Sequence, residues 1–213
     1  EMVKRFGGIP LITDVIPVQG SYDDMYRERN SEKEIYNFIL KEMDDISNYL
    51  PSIALDDGRI TKWTALSLKS RAMLYAASIA NFGSEQLNGL LGFPNSDASI
   101  YYQESMNASR EIIQSGVFSL YRESINPVEN FGNLFIDEDG NSEVIFSEKY
   151  DYEAGKSHQW DALAQPAGFG FNWSSNYTVY LETLEQFDFI DGSSGMVDRS
   201  MYDDATPIDP NFY

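Results

Sequence analysis

Three stretches of the chain repeat apolar side chains at steps of three and four, and that spacing admits few folds other than packed α-helices. The first opens at Ser31, where Ser31 and Glu34 stand at the spacing of a capping box. Ile35, Phe38, Ile39, Met43, Ile46 and Leu50 follow as one stripe, and Pro51 stops it, so a helix over 31–50 is predicted. After an Asp57-Gly58 turn, a second helix is predicted over 61–81 with Thr61 or Thr64 as cap. Its Leu66, Met73, Ala76, Ala77 and Ile79 are apolar, and Ala72, Ala76, Ala77 and Ala80 are small enough for a neighbouring helix to pack close. A Gly-, Asn- and Ser-rich loop covers 82–98. A third helix is predicted over 99–115, stopped by Gly116, with Phe118 and Leu120 folding back onto it. Each helix has one apolar stripe to bury, so antiparallel packing of the three as neighbours is expected. The fold class is mainly α, with stacked helical hairpins, although no tetratricopeptide consensus is legible from periodicity.

The flanks differ. Residues 6–30 read as an extended lead-in. Beyond Leu120, a short helix over Asn130–Phe135 and a strand over Glu143–Ser147 are expected. Residues 150–180 mix Gly, Ser, Asn and aromatics without period, the kind of irregular segment on which binding sites tend to sit. The net charge is −19, from 34 acidic and 15 basic residues, which repels phosphate backbones and anionic lipid. Nucleic acid is therefore not an expected partner. With no cysteine, the chain has no disulfide, thiolate nucleophile or Cys-based zinc site. No apolar run approaches the roughly 18–20 residues of a membrane helix, and Glu1-Met2-Val3-Lys4-Arg5 is not a signal peptide. Both ends read as mid-protein, so a fragment of a longer chain is expected.

Several short blocks together resemble the SusD/RagB family of nutrient-binding proteins. Phe6-Gly7-Gly8-Ile9-Pro10-Leu11-Ile12 is similar to the family's "YGGVPL" opening. Arg29, Ser31 and Glu34 through Ile39 resemble its "R-x-s-x-x-E-V-Y-x-x-I" helix start, and Leu50-Pro51 its closing "LP". Gly58-Arg59-Ile60-Thr61-Lys62 is similar to "G-R-x-T-K", and Ala65, Leu66, Lys69, Arg71, Leu74 and Tyr75 to the next helix. Tyr101, Tyr102, Ala108, Ile112, Ile113, Ser115, Gly116, Phe118 and Leu120 follow the family's third helix. Glu143–Ser147 resembles "E-I-I-F-S", and Phe187 through Asp191-Gly192 resembles "F-E-x-x-D-G". Trp63 and Thr64 depart from the small residues usual there, Phe189 and Ile190 are more apolar than typical, and little matches after residue 192.

The resemblance implies one SusD-like domain over 1–213, a helical scaffold over about 31–120 and a loop-rich binding region over about 121–213. It implies a lipid-anchored protein on the outer face of a bacterial outer membrane, with the lipidated residue outside this segment. It also implies non-catalytic capture of oligosaccharides, or of peptides in some members, beside a SusC-like TonB-dependent transporter. No cofactor is implied.

The aromatic cluster is the candidate binding site. Trp160, Phe169, Phe171, Trp173, Tyr177 and Tyr180 fall close together, interleaved with Asp161, Gln165, Asn172 and Asn176. Sugar C–H faces stack on Trp and Tyr, and amides and carboxylates bond hydroxyls. Trp160, Trp173, Tyr177, Asn172 and Asn176 are the candidate ligand contacts, and Phe169 and Phe171 are expected in the core. Asp137, Asp139, Asn141 and Glu148 stand at calcium-loop spacing, but Ser142 replaces the required Gly and a strand follows instead of a helix. A tight turn at Asp139-Gly140 is the simpler reading, so no metal site is expected. His158 is the single histidine, and Gly-x-Ser-x-Gly, His-Glu-x-x-His and phosphate-binding Gly loops are absent. Asp188 and Asp191 could pair as glycosidase carboxylates, though in a chain with 34 acids such spacings arise by chance. Asn172-Trp173-Ser174 and Asn176-Tyr177-Thr178 are formal glycosylation sequons of little meaning in a bacterial protein. No catalytic residues are assigned. A secreted glycoside hydrolase and a pure helical interaction scaffold remain as alternatives.

Overall fold

The structure, a computed structural model, describes residues 1–17, 19–21, 25–54, 56, 58–137, 140–151, 153–158, 164, 180–189 and 191–196. The chain divides into two compact units, Glu1–Lys149 and Tyr150–Tyr213. In the first, α1 (Met2–Phe6) precedes the three long helices α2 (Glu32–Ser47), α3 (Lys62–Phe82) and α4 (Ala98–Gln114). A shorter α5 (Pro127–Asn133) follows them, and α6 (Leu181–Leu184) lies in the second unit.

The predicted helices form within three residues of their expected ends. At α2 the capping box is complete. The Ser31 hydroxyl accepts from the Glu34 N–H at 3.2 Å, and the Glu34 carboxylate accepts from the Ser31 N–H at 2.7 Å. Thr61 and Thr64 repeat the device with hydroxyls, the Thr61 N–H donating to Thr64 Oγ1 at 3.2 Å. Gly116, with φ +65°, ends α4 as expected.

The helix α3 lies between the other two and runs antiparallel to both. Its N-terminal half meets the C-terminal half of α2 where Lys69 Nζ bonds Asp44 Oδ1 at 2.6 Å. It meets the C-terminal half of α4 where Lys62 Nζ lies 2.5 Å from Glu111 Oε1. The alanines do as their size suggests: Ala76, Ala77 and Ala80 are completely buried, as is Met73 between them and the α2 face. Ala98, Tyr101, Ser105, Ala108 and Ile112 form one buried seam along α4 at steps of three and four.

Two apolar clusters result. The larger joins Ile35 and Tyr36 of α2 to α3, to Tyr101 of α4, and to Phe93 from the loop before α4. The smaller joins Trp63 and Leu66 to Ala108 and Ile112, with Phe118 and Ile145 against them. Trp63, the departure from the family pattern, is 7% exposed and donates its indole N–H to the Ser52 carbonyl at 2.9 Å. Phe118 meets it edge-on with centroids 6.3 Å apart, so it folds back as expected, whereas Leu120 is 61% exposed. The large side chain thus closes the α2–α3 loop and roofs the end of the stack.

The lead-in is tied down at both ends of its family block. The Arg29 guanidinium donates to the Gly8 carbonyl at 2.6 Å and to the Phe6 carbonyl at 3.0 Å, taking up a free carbonyl at the end of α1. A Cβ on Gly8 would lie 2.5 Å from the Asn30 carbonyl oxygen and 2.7 Å from that of Leu90. Only glycine lets these three segments touch. The Leu90 carbonyl also accepts from the Glu32 N–H at 3.0 Å, and Glu32, itself buried, accepts from the Gly92 N–H at 2.8 Å.

Two expectations are corrected. The Glu143–Ser147 segment forms no strand, because one backbone bond, Ser119 N–H to the Ser142 carbonyl at 3.0 Å, does not make a ladder. Among the described residues the only β-pairings are isolated bridges, Gln86 with Leu91 and Asp151 with Lys156. The short helix begins earlier than expected, at Pro127, where the Asn126 side chain caps it by accepting from the Val128 N–H at 3.0 Å. No residue of this helix is buried. Asn130 makes two 2.7 Å bonds with the Ser124 backbone, while Val128, Phe131, Phe135 and Ile136 are all at least 67% exposed.

Burial pushes the phenol of Tyr36 up to about 12, and burial together with the Asp97 charge does the same for Tyr101, also to about 12. Each phenol holds its proton more tightly when folded than at the unfolded value of about 10. Their contribution to stability is therefore intact below pH ~10 and lost as pH rises towards ~12. In an alkaline titration, the last tyrosinate absorbance is expected to appear together with loss of the helical dichroism. Complete ionisation of all 14 tyrosines with the helices intact would refute this.

Candidate functional site

The candidate contacts Trp160, Trp173, Tyr177, Asn172 and Asn176 lie outside the described residues, as do Asp161, Gln165, Phe169 and Phe171. Their flanks are described. On one side the Asp151–Lys156 turn is closed by the Lys156 N–H to the Asp151 carbonyl at 2.8 Å, and His158 meets the Tyr150 ring edge-on at 4.6 Å. On the other side Tyr180, 78% exposed, leads directly into α6.

Asp191-Gly192 forms a tight turn, with Gly192 at φ +79° and the Phe189 N–H bonded to the Ser193 carbonyl at 2.9 Å. The Ser193 hydroxyl and N–H donate to the Asp191 carboxylate at 2.6 and 2.9 Å. These bonds, the hydroxyl first, hold the Asp191 carboxyl below the usual range. That direction is opposite to the one a glycosidase acid needs and is the one its ionised partner carboxylate needs. At the calcium-like spacing, the Tyr121 phenol donates to the Asp137 carboxylate. The Asn141 amide donates to the Leu134 carbonyl at 2.9 Å and accepts from the Glu143 N–H at 3.2 Å. Asp139 lies outside the described residues. Asp137 and Asn141 thus bond Tyr121, Leu134 and Glu143.

A second candidate lies in the first unit, where residues 119–124 run beside Ser142 and Glu143. Two open crevices meet at Glu123. One, of about 510 Å³, is lined by Ser119, Leu120, Arg122, Glu123 and Ser142. The other, of about 470 Å³, is lined by Tyr121, Glu123, Ser124, Asn133, Asp137 and Gly140. Ser119 and Ser142 tie the walls together, the Ser142 hydroxyl donating to the Ser119 carbonyl at 3.2 Å. Tyr121 is buried beneath, its N–H donating to Glu143 Oε2 at 2.9 Å. Its phenol is pushed up to about 12, chiefly by the bond to Asp137. Sequence reasoning missed these crevices. Arg122 and Glu123 carry no motif, and Asp137 was weighed only as a metal ligand.

No family model matches the sequence, and no curated protein matches it. Among solved structures the chain is similar to the crystal structure of a SusD-like protein from Bacteroides fragilis NCTC 9343. The two are 26% identical with a TM-score of 0.50, over 70% of this chain and 24% of that one. The match therefore spans about a quarter of that protein's length. The mainly helical architecture of this chain is accordingly SusD-like.

Proposed function

We propose that this chain is part of a non-catalytic cell-surface protein that captures oligosaccharides for a SusC-like TonB-dependent transporter in the bacterial outer membrane. The observation that carries the reading is the SusD-like fold, in which the residues of the family blocks hold structural posts. Arg29 and Gly8 clasp the lead-in, Ser31 and Glu34 cap α2, and Lys69 and Tyr101 bridge the helices. Among the described residues no helix is long and apolar enough to cross a membrane. The proposed attachment is a lipid outside this segment.

The aromatic platform of Trp160, Trp173 and Tyr177, with Asn172 and Asn176, remains the proposed contact surface. Trp173→Ala is expected to weaken oligosaccharide binding by ~1–2 kcal/mol, the scale of one aromatic contact, with the melting temperature unchanged. A core ring would instead cost ~3–5 kcal/mol of stability. Calorimetry and melting of the alanine variants of Trp160, Trp173 and Tyr177 separate the two. Unchanged affinity in all three would move the platform elsewhere. New reducing ends from a bound polysaccharide would make the protein an enzyme, and binding of peptides but no sugar would replace the ligand class.

A further inference from the structure

We propose that the crevices meeting at Glu123 are a subsite for neutral sugar residues, an assignment that rests on the oligosaccharide-capture reading. Adjacent sugar hydroxyls each donate and accept, so a site for them needs both kinds of partner within one short reach. Arg122 offers donors only, Glu123 and Asp137 acceptors only, and Ser119, Ser142 and Asn133 both. The Tyr121 phenol takes one position on Asp137, and a carboxylate accepts at about four, so acceptor capacity remains. Volumes of about 510 and 470 Å³ fall in the range of small-molecule sites.

Glu123 lines both crevices, which places one carboxylate between two successive sugar units. The walls are fixed before any ligand arrives. The Ser119–Ser142 bonds and the buried Tyr121 hold the backbone of the 119–124 segment in place, so the ordering left to binding is that of the Arg122 and Glu123 side chains.

Other ligand classes fit less well. Glu123, Asp137 and the net charge of −19 oppose phosphates and acidic sugars. No group of three or more His, Asp or Glu gathers around a metal-sized space among the described residues.

The test is calorimetric titration of the full chain with malto-, cello-, xylo- and mannohexaose. At least one is expected to bind. Arg122→Ala and Glu123→Ala are each expected to weaken that binding about tenfold or more, the scale of a hydrogen bond to a charged group. Both side chains are exposed, so the melting temperature should not move. Binding that stays within about twofold of the parent in both variants would overturn the subsite and leave the capture reading standing. Affinity lost only together with the helical dichroism would overturn it too, by making the two residues structural. A panel on which nothing binds would overturn the capture reading and the subsite with it.

Discussion

Phe93→Ala is expected to cost ~4 kcal/mol of stability, within the ~3–5 kcal/mol of buried aromatic truncations. Phe93 is 1% exposed and sits between Tyr36 of α2, at 5.7 Å, and Tyr101 of α4, at 5.3 Å. The α2 and α4 backbones do not approach each other closely, so this loop residue fills the space where their rings converge on α3. Truncation removes the apolar burial and both ring contacts, and it leaves a void that the helices cannot close without shifting on α3. For a unit of this size the melting temperature should fall by about 10 °C. Phe82→Ala is the control, since Phe82 is 79% exposed and its loss should cost less than ~0.5 kcal/mol. Equal effects of the two substitutions on melting would refute the placement of Phe93.

Lys69→Ala is expected to cost ~2–3 kcal/mol, below the ~3–5 kcal/mol of a fully buried pair. Lys69 is buried on α3, with Asp44 of α2 at 2.6 Å and Glu104 of α4 at 2.8 Å. Both carboxylates keep part of their solvent contact, which is why the full buried-pair figure is not reached. Burial alone would pull the ammonium pKa down, but the bonds to Asp44 and Glu104 outweigh it and the net shift is upward. The ammonium is therefore charged at every pH below the unfolded lysine value of about 10.4. Alanine leaves two carboxylates facing each other across an emptied position. If that is the cost, Lys69→Met combined with Asp44→Asn and Glu104→Gln should recover most of the lost stability in urea denaturation. A triple variant no more stable than Lys69→Ala would show that the charges themselves hold the three helices in register.

The helical stack was legible because its signals are local. Ser31 with Glu34, Pro51 and Gly116 mark ends by chemistry within one turn, and a stripe at steps of three and four needs no knowledge of its partner. What lay beyond was set by contacts between residues far apart in the chain. Phe93 stands in a stretch rich in Gly, Asn and Ser, and nothing local says that two tyrosines from different helices will enclose it. Tyr36 stands outside the apolar stripe of α2, yet it is 2% exposed, so the core seam is rotated from the one that stripe traces. Gly8 belongs in sequence to an extended lead-in and to the block similar to "YGGVPL". The need for glycine there comes from the Leu90 carbonyl, far along the chain. Glu143–Ser147 has the composition of a strand, but strand formation requires a partner ladder, and Ser119 supplies a single bond. The Glu123 crevices escaped notice for a related reason. Ordinary charges became neighbours only when residues 119–124 came to lie against Ser142.

The exposed helix α5 bears on how copies of this protein behave in solution. Phe131 and Phe135 stack edge-to-face at 5.3 Å in the open, beside Val128 and Ile136, which makes an adhesive spot on the surface. Long-range repulsion opposes the joining of two molecules there, since each carries a net charge of −19 at neutral pH. That protection is colloidal and depends on the medium: it shortens to a few ångströms in about 1 M salt and vanishes as acid neutralises the carboxylates. Handling at low ionic strength and neutral pH thus follows from one short helix whose apolar side chains stand in solvent.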